Sequence, residues 1–337
     1  MYSNDPLEPK DDRSPTPSSA LPGGEPDRSL RIAIWEGCSS TLCGALTGGA
    51  IATAFALALG ANDLHLGFLS AIGTLSAVGG IIGARATMRI GRRKIIVLRA
   101  SLISRLALSL PALIPFLPLT QAQKIWLLIG ITALSGLAIQ LAVNPWLSWM
   151  TDLVPPERRG RYFAWRNTVL SSMGMLSAFG VGRAAVALQQ IATERHLHPA
   201  TAFVPLLAVS SFFALLSAWG YSRQWEPPLK REPVIPIREM LSLPFRHPPF
   251  RKFLRFTSLW AVALGVASPF FAPHMFRNLG MTVSGVATYS ILAGLCALFA
   301  QPLWGRISDR IGHRPVLACN LLLVSLLPLI WLLATPS

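Results

Sequence analysis

Gly305-Arg306-Ile307-Ser308-Asp309-Arg310-Ile311-Gly312-His313-Arg314 stands between two apolar runs, Val283–Leu303 and Pro315–Ala334. Each run has about the 20 residues that cross roughly 30 Å of hydrocarbon as a helix rising 1.5 Å per residue. A short polar stretch between two such runs reads as the connection joining two membrane helices. Gly305 lets helices approach closely, Gly312 permits a tight turn, and Asp309 offers an anion to the amino terminus of a neighbouring helix. Arg306, Arg310 and Arg314 put positive charge on one side of the membrane.

The rest of the chain has the same texture. Of its 337 residues 52% are hydrophobic and 13% charged, against roughly 25% charged in a soluble domain, so polar side chains are too few to cover a globule in water. Seven further apolar runs precede the two above: Ile32–Leu59, Leu64–Gly83, Ile95–Leu117, Ile125–Leu147, Phe163–Leu188, Ala200–Tyr221 and Phe253–Phe276. The expected fold is an all-α integral membrane bundle of about nine transmembrane helices. Residues 1–29, rich in Pro, Ser, Asp and Gly with no apolar run, are expected to be a disordered cytoplasmic tail and not a signal peptide. Residues 222–252 carry several prolines and charges of both signs. They are expected to link a six-helix bundle, 30–221, to a group of three helices, 253–337, and Arg238–Leu243 is open to a short surface helix or to disorder.

The net charge of +15 points to topology and not to nucleic acid, because Lys and Arg fall in short clusters between apolar runs. With the amino terminus inside, cytoplasmic segments hold 24 Lys and Arg, while the opposite loops hold 3: Lys124, Arg195 and Arg277. Cytoplasmic loops of membrane proteins carry this excess. The expected location is a bacterial inner membrane, with lipid as the surrounding partner.

The decisive stretch has the pattern G-x-x-x-D-R-x-G-x-R, and six spans earlier Arg89-Ile90-Gly91-Arg92-Arg93 occupies the matching connection. The pattern resembles the loop signature of the major facilitator superfamily. The first copy is degenerate, with Ala84 and Met88 at the leading glycine and the aspartate. Trp35-Glu36-Gly37, the stretch Asp152-Leu-Val-Pro155-Pro-Glu157-Arg158-Arg159-Gly160-Arg161 and Pro269-Phe270-Phe271 also resemble a broad bacterial group of that family. The resemblance implies two bundles of six helices, with a path lined by the first, fourth, seventh and tenth. It also implies that the loop Gly305, Asp309, Arg310, Gly312, Arg314 packs on the start of the fifth helix, near Phe163, and holds one access state. The degenerate copy, Arg89, Gly91, Arg92 and Arg93, would face an eleventh helix. With nine spans counted, the chain is expected to be a transporter shortened after the ninth.

Polar side chains inside spans are costly, so each is a site candidate. Gln140 and Asn144, four apart on the fourth span with Ser148 a turn further, share one face. They are open to hydrogen-bonding a solute, to joining helices, or, for Asn144, to compensating backbone freed by Pro145. Glu36 is the leading candidate for proton coupling, with capping or pairing with Arg99 as its other roles. Arg105, midway along the third span, is open to anion recognition or to pairing with a buried carboxylate. Trp260 and the Pro269 break fall on the path-lining seventh span, the proline as a hinge. Gly79-x-x-x-Gly83 reads as close helix packing and Arg183 as snorkelling.

Cys38, Cys43, Cys296 and Cys319 lie in apolar stretches without metal-ligand spacing and read as packing residues, and His196 and His198 form no metal set. No phosphate-binding glycine loop, H-E-x-x-H or G-x-S-x-G occurs, so no cofactor and no enzyme are expected. The expected function is secondary active or facilitative transport of a small solute by alternating access, with protons as a partner if a gradient drives it. The alternative is a non-transporting membrane protein, an assembly partner, sensor or inactive fragment, that keeps part of the fold.

Overall fold

The computed structural model describes residues 24–229, 236, 242, 245–246, 248–331 and 334, and the expected surface helix at Arg238–Leu243 lies largely outside them. Apolar runs become helices because hydrocarbon supplies no partner for a free N–H or C=O, and a helix satisfies both internally. The first six spans are Glu25–Ala58, Asp63–Ile90, Arg93–Phe116, Gln121–Leu153, Arg159–Glu194 and Pro199–Arg223. The seventh, eighth and ninth are Pro248–Arg277, Val283–Ile311 and His313–Trp331. Among the described residues eight helical stretches are long and apolar enough to cross a membrane, and the eighth span adds the shorter apolar helix Val283–Cys296. The first helix starts at Glu25, so the last residues of the expected tail are helical.

Side chains mark the far-end turns. Asn62 and His65 form a reciprocal capping box at the start of the second span, and Thr120 and Gln123 form one at the start of the fourth. The far end holds the turns after the first, third, fifth and seventh spans; the near end holds the starts of the first, third and fifth.

The stretch expected as a loop at 305–314 is mostly helix. The eighth span continues to Ile311, and the ninth begins at His313. Gly312 alone makes the turn, at φ +87°, and Gly91 makes the equivalent turn at φ +70°. A left-handed glycine closes a helix without steric cost, so the polar residues before it extend the helix beyond the apolar run.

Four spans are interrupted inside. The first breaks at Gly48-Gly49, where Gly48 is extended and Gly49 has φ +54°. The second breaks at Ser76-Ala77, between helices ending at Leu75 and starting at Val78. The third ends in a tightened 3-10 segment, Leu110–Phe116, that begins beside Pro111. The seventh breaks at Ser268–Phe270, around the Pro269 expected as a hinge.

In the bundle the first span packs on the fifth and sixth, the third on the fourth and sixth, and the second on the fourth. The eighth packs on the fifth, and the ninth on the eighth. Gly79 and Gly83 lie where the second span meets the backbone of Leu137 and Leu141 on the fourth. Phe55 and Phe203 meet edge to face in a far-end core, whereas Trp149, Met150 and Val97 fill a near-end core. Large apolar side chains such as Leu75, Leu176 and Leu259 project from the outer faces, as lipid requires.

Candidate functional site

A cavity of about 780 Å³ opens between the first four spans and the seventh and eighth. The breaks in the first and seventh spans both line it, through Gly48, Gly49, Ser268 and Pro269. Irregular backbone survives at membrane depth where it borders a cavity. The half-helix Gly49–Ala58 presents its amino-terminal residues to this space, and a helix amino terminus carries partial positive charge. Hydroxyls of Ser40, Ser70, Thr132, Ser135, Ser290 and Tyr289 line the wall among apolar side chains.

Arg105 is the guanidinium on that wall. It is only 6% exposed, because the third span is wedged between the fourth and sixth. Its Nη2 donates to Ser40 Oγ at 2.7 Å and lies 3.2 Å from Glu36 Oε1. Its Nη1 donates to Ser217 Oγ, and Ser217 in turn donates to the same Glu36 oxygen at 2.6 Å. The Arg105 guanidinium carbon lies 5.6 Å from the ring centroid of the buried Tyr221. Glu36, 2% exposed, sits directly behind the wall, with its Cβ 2.9 Å from where a side chain on Gly220 would begin. A buried ion pair persists when further hydrogen bonds satisfy both partners, and Ser40, Ser217 and Tyr221 stand in that position.

The sequence left Glu36 open to pairing with Arg99 and Arg105 open to pairing with a carboxylate. The two pair with each other, and Arg99 is exposed. Asn144 Nδ2 donates to Gly80 O at 2.9 Å, joining the fourth span to the second. Gln140 packs beside Gly79 at the same interface, and neither amide lines the cavity. Trp260 is half-buried and away from the cavity, whereas Pro269, Phe271 and Pro273 of the same span line it. Arg183 is exposed and stacks on Phe179 at 5.9 Å. Of the expected gating loop, the side chains of Gly305 and Asp309 lie outside the described residues, while Arg310, Gly312 and Arg314 are exposed.

The degenerate copy has acquired definite partners. Arg93, fully buried, donates through Nη1 to Ser148 and to the carboxylate of Asp152 at the end of the fourth span. Its Nη2 donates to Pro227 O at 3.1 Å. The backbone N–H groups of Arg93 and Lys94 both donate to Glu226 Oε1, so a carboxylate from beyond the sixth span caps the third. Trp149 Nε1 donates to Trp225 O at 2.9 Å, and Trp225 N donates to Ser29 Oγ at 2.9 Å. Arg89 and Arg92 are exposed.

At the far end Arg277, on the seventh span, pairs with Asp63 on the second and donates to Ala61 O at 2.9 Å. This bridge lies beyond the cavity and joins the seventh span to the first six. Ser217, Tyr221, the Gly48-Gly49 break and Arg277 were not singled out by sequence reasoning. The diglycine in an apolar run was the signal available for the break.

The chain is 25% identical over 268 residues to Solute carrier family 2, facilitated glucose transporter member 8, from Bos taurus, covering 75% of this chain and 54% of that protein. In fold it resembles a bacterial homolog of the human lysosomal transporter Spinster, solved inward-facing and unoccupied, with a TM-score of 0.53 and 18% identity. That likeness covers 85% of this chain and 63% of the other. The chain spans about half the length of the curated relative it matches. The sequence model of the Major Facilitator Superfamily matches residues 37–337, from just after Glu36 through both glycine turns and the whole cavity wall. This chain therefore belongs to the Major Facilitator Superfamily.

Proposed function

We propose that this chain carries a small polar solute across a membrane by alternating access, from a bacterial inner membrane with its amino terminus cytoplasmic. The observation that supports it best is the cavity of about 780 Å³ enclosed by spans from both groups and walled by hydroxyls and Arg105. Apolar surround with a few convergent polar groups is the usual make-up of a solute site. Breaks in the first and seventh spans border that site and supply bending points. The charge asymmetry along the sequence supports the orientation.

Glu36 couples transport to protons. A solute that takes hydrogen bonds from Arg105 competes with Glu36 for it. Once Glu36 loses that cation, its buried carboxylate is left without a charged partner. Ser217 and Arg105 hydrogen-bond it, Ser40 and Tyr221 hold that guanidinium, and Tyr162 and Arg166 on the fifth span lie nearby.

The test is reconstitution of the full chain in proteoliposomes with a broad solute-uptake screen, with and without an inward proton gradient. Uptake of at least one solute, stimulated by the gradient and reduced in Arg105→Lys, is expected. No uptake of any solute by folded, reconstituted protein would overturn the reading.

A further inference from the structure

We propose that Arg166 and Trp146 form a second station on the solute path, one that takes the carboxylate of a small organic anion. The inference rests on the transport reading above and names its substrate class. Arg166, on the fifth span, lays its guanidinium over the Trp146 indole of the fourth, 4.7 Å from the ring centroid. Its Nη2 reaches the first span at Gly37, 3.1 Å from where a Cβ would stand. Trp146 Nε1 and Arg166 Nε are both buried, and neither has a hydrogen-bond acceptor. Buried donors left without acceptors are uncommon and call for an explanation.

Both groups are donors only, so a cation or a donor-only ligand gains nothing here. A carboxylate fits, because it brings two oxygens and a negative charge to two neighbouring N–H groups, one of them cationic. Among the described side chains no carboxylate fills that place. The ion pairs between described side chains are Arg93–Asp152, Arg105–Glu36 and Arg277–Asp63, and none includes Arg166. Arg166 and Glu36 both act on Cys38 and Tyr162, and among the described side chains Glu36 pairs with Arg105 and not with Arg166.

The station is next to the cavity. Gly37 precedes Ser40 by three residues, about 4.5 Å along a helix axis, and Ser40 both lines the cavity and accepts from Arg105. An anion held at Arg166 is therefore one helical turn from the guanidinium that walls the main cavity.

The test uses the full chain with 15N-labelled tryptophan in phosphatidylcholine nanodiscs, titrated with sodium acetate at fixed ionic strength. The Trp146 indole resonance is assigned by its loss in Trp146→Phe. A saturable downfield shift of that resonance is expected, with affinity weakened about tenfold in Arg166→Gln and in part restored in Arg166→Lys. The other nine indole resonances report whether each variant is folded. Should Arg166→Gln not fold, Gly37→Ala, whose Cβ crowds Leu170 and Arg166 Nη2, carries the same expectation of weaker binding. No acetate-dependent shift, or a shift of equal affinity in the folded variant, overturns the proposal. A lipid phosphate offers similar oxygens, so a resonance already shifted in phosphatidylglycerol nanodiscs and unmoved by acetate assigns the station to a headgroup and also overturns it. Acetate binding without uptake of any solute sinks the transport reading and leaves an anion site that lies on no solute path, whereas uptake without acetate binding sinks this inference alone.

Discussion

Glu36 on the first span and Arg105 on the third meet at 3.2 Å inside the bundle, each less than a tenth exposed, with Ser217 of the sixth span bonded to both. Removing one partner strands the other in a low-dielectric interior. Glu36→Ala and Arg105→Ala are each expected to destabilise the folded protein by about 3–5 kcal/mol. The double variant should lose clearly less than the sum, because it strands no charge. Thermal unfolding in detergent of the four proteins checks this, and additive losses would mean the two groups do not depend on each other.

The second and fourth spans touch backbone to backbone. A Cβ at Gly83 would stand 2.1 Å from Leu141 O, closer than any packing tolerates, and the obstacle is main chain that cannot rotate away. Gly83→Ala is expected to cost more than the roughly 1–3 kcal/mol of ordinary overpacking. Gly130→Ala is the control, since nothing lies within 4 Å of its added Cβ. There the gain in helix propensity should leave stability equal or up by about 0.5–1 kcal/mol. Equal behaviour of the two variants would refute the close approach.

The membrane class, the alternation of spans and the Gly79-x-x-x-Gly83 contact were legible because each depends on local composition or spacing. The interior pairings were not. Glu36 and Arg105 each announced themselves as costly polar residues, but which cation meets which carboxylate depends on how three spans are rotated about their axes. A low amphipathic contrast in lipid gives little sign of that rotation, because lipid-facing and core-facing residues are both apolar. Gln140 and Asn144 share a face as expected, yet that face meets the second span and not the cavity. The connection 305–314 was read as loop because it is polar. Polarity there marks the edge of the hydrocarbon, and the helix ends only at Gly312.

Beyond the sixth span, the Glu226 carboxylate accepts from the N–H groups of both Arg93 and Lys94, while Arg93 also holds Asp152. The connection leaving the six-helix group is thus pinned to the start of the third span. Loss of a helix cap typically costs about 0.5–2 kcal/mol, so Glu226→Ala is expected to lower stability by that amount. Amide exchange should rise selectively at residues 93–97 and 224–226. Unchanged protection at these amides, with a general loss elsewhere, would count against the cap.

The Arg277–Asp63 pair joins, at the far end, two spans that belong to different groups, and it stays partly exposed to solvent. An exposed ion pair is worth only about 0.2–1 kcal/mol, too little to lock a conformation but enough to shift a two-state equilibrium by up to roughly fivefold. Arg277→Gln is therefore expected to leave unfolding almost unchanged while raising the population with the far end open. Spin labels at Leu64 and Asn278 would read that population as a longer distance component. The exchanged variant Asp63→Arg with Arg277→Asp should restore the original distribution, and high salt should mimic Arg277→Gln by screening the pair. Identical distance distributions in all these samples would show that the pair is a passive surface contact, leaving the close approach of Ala287 and the Ser284 backbone to Gly182 to hold the eighth span against the fifth.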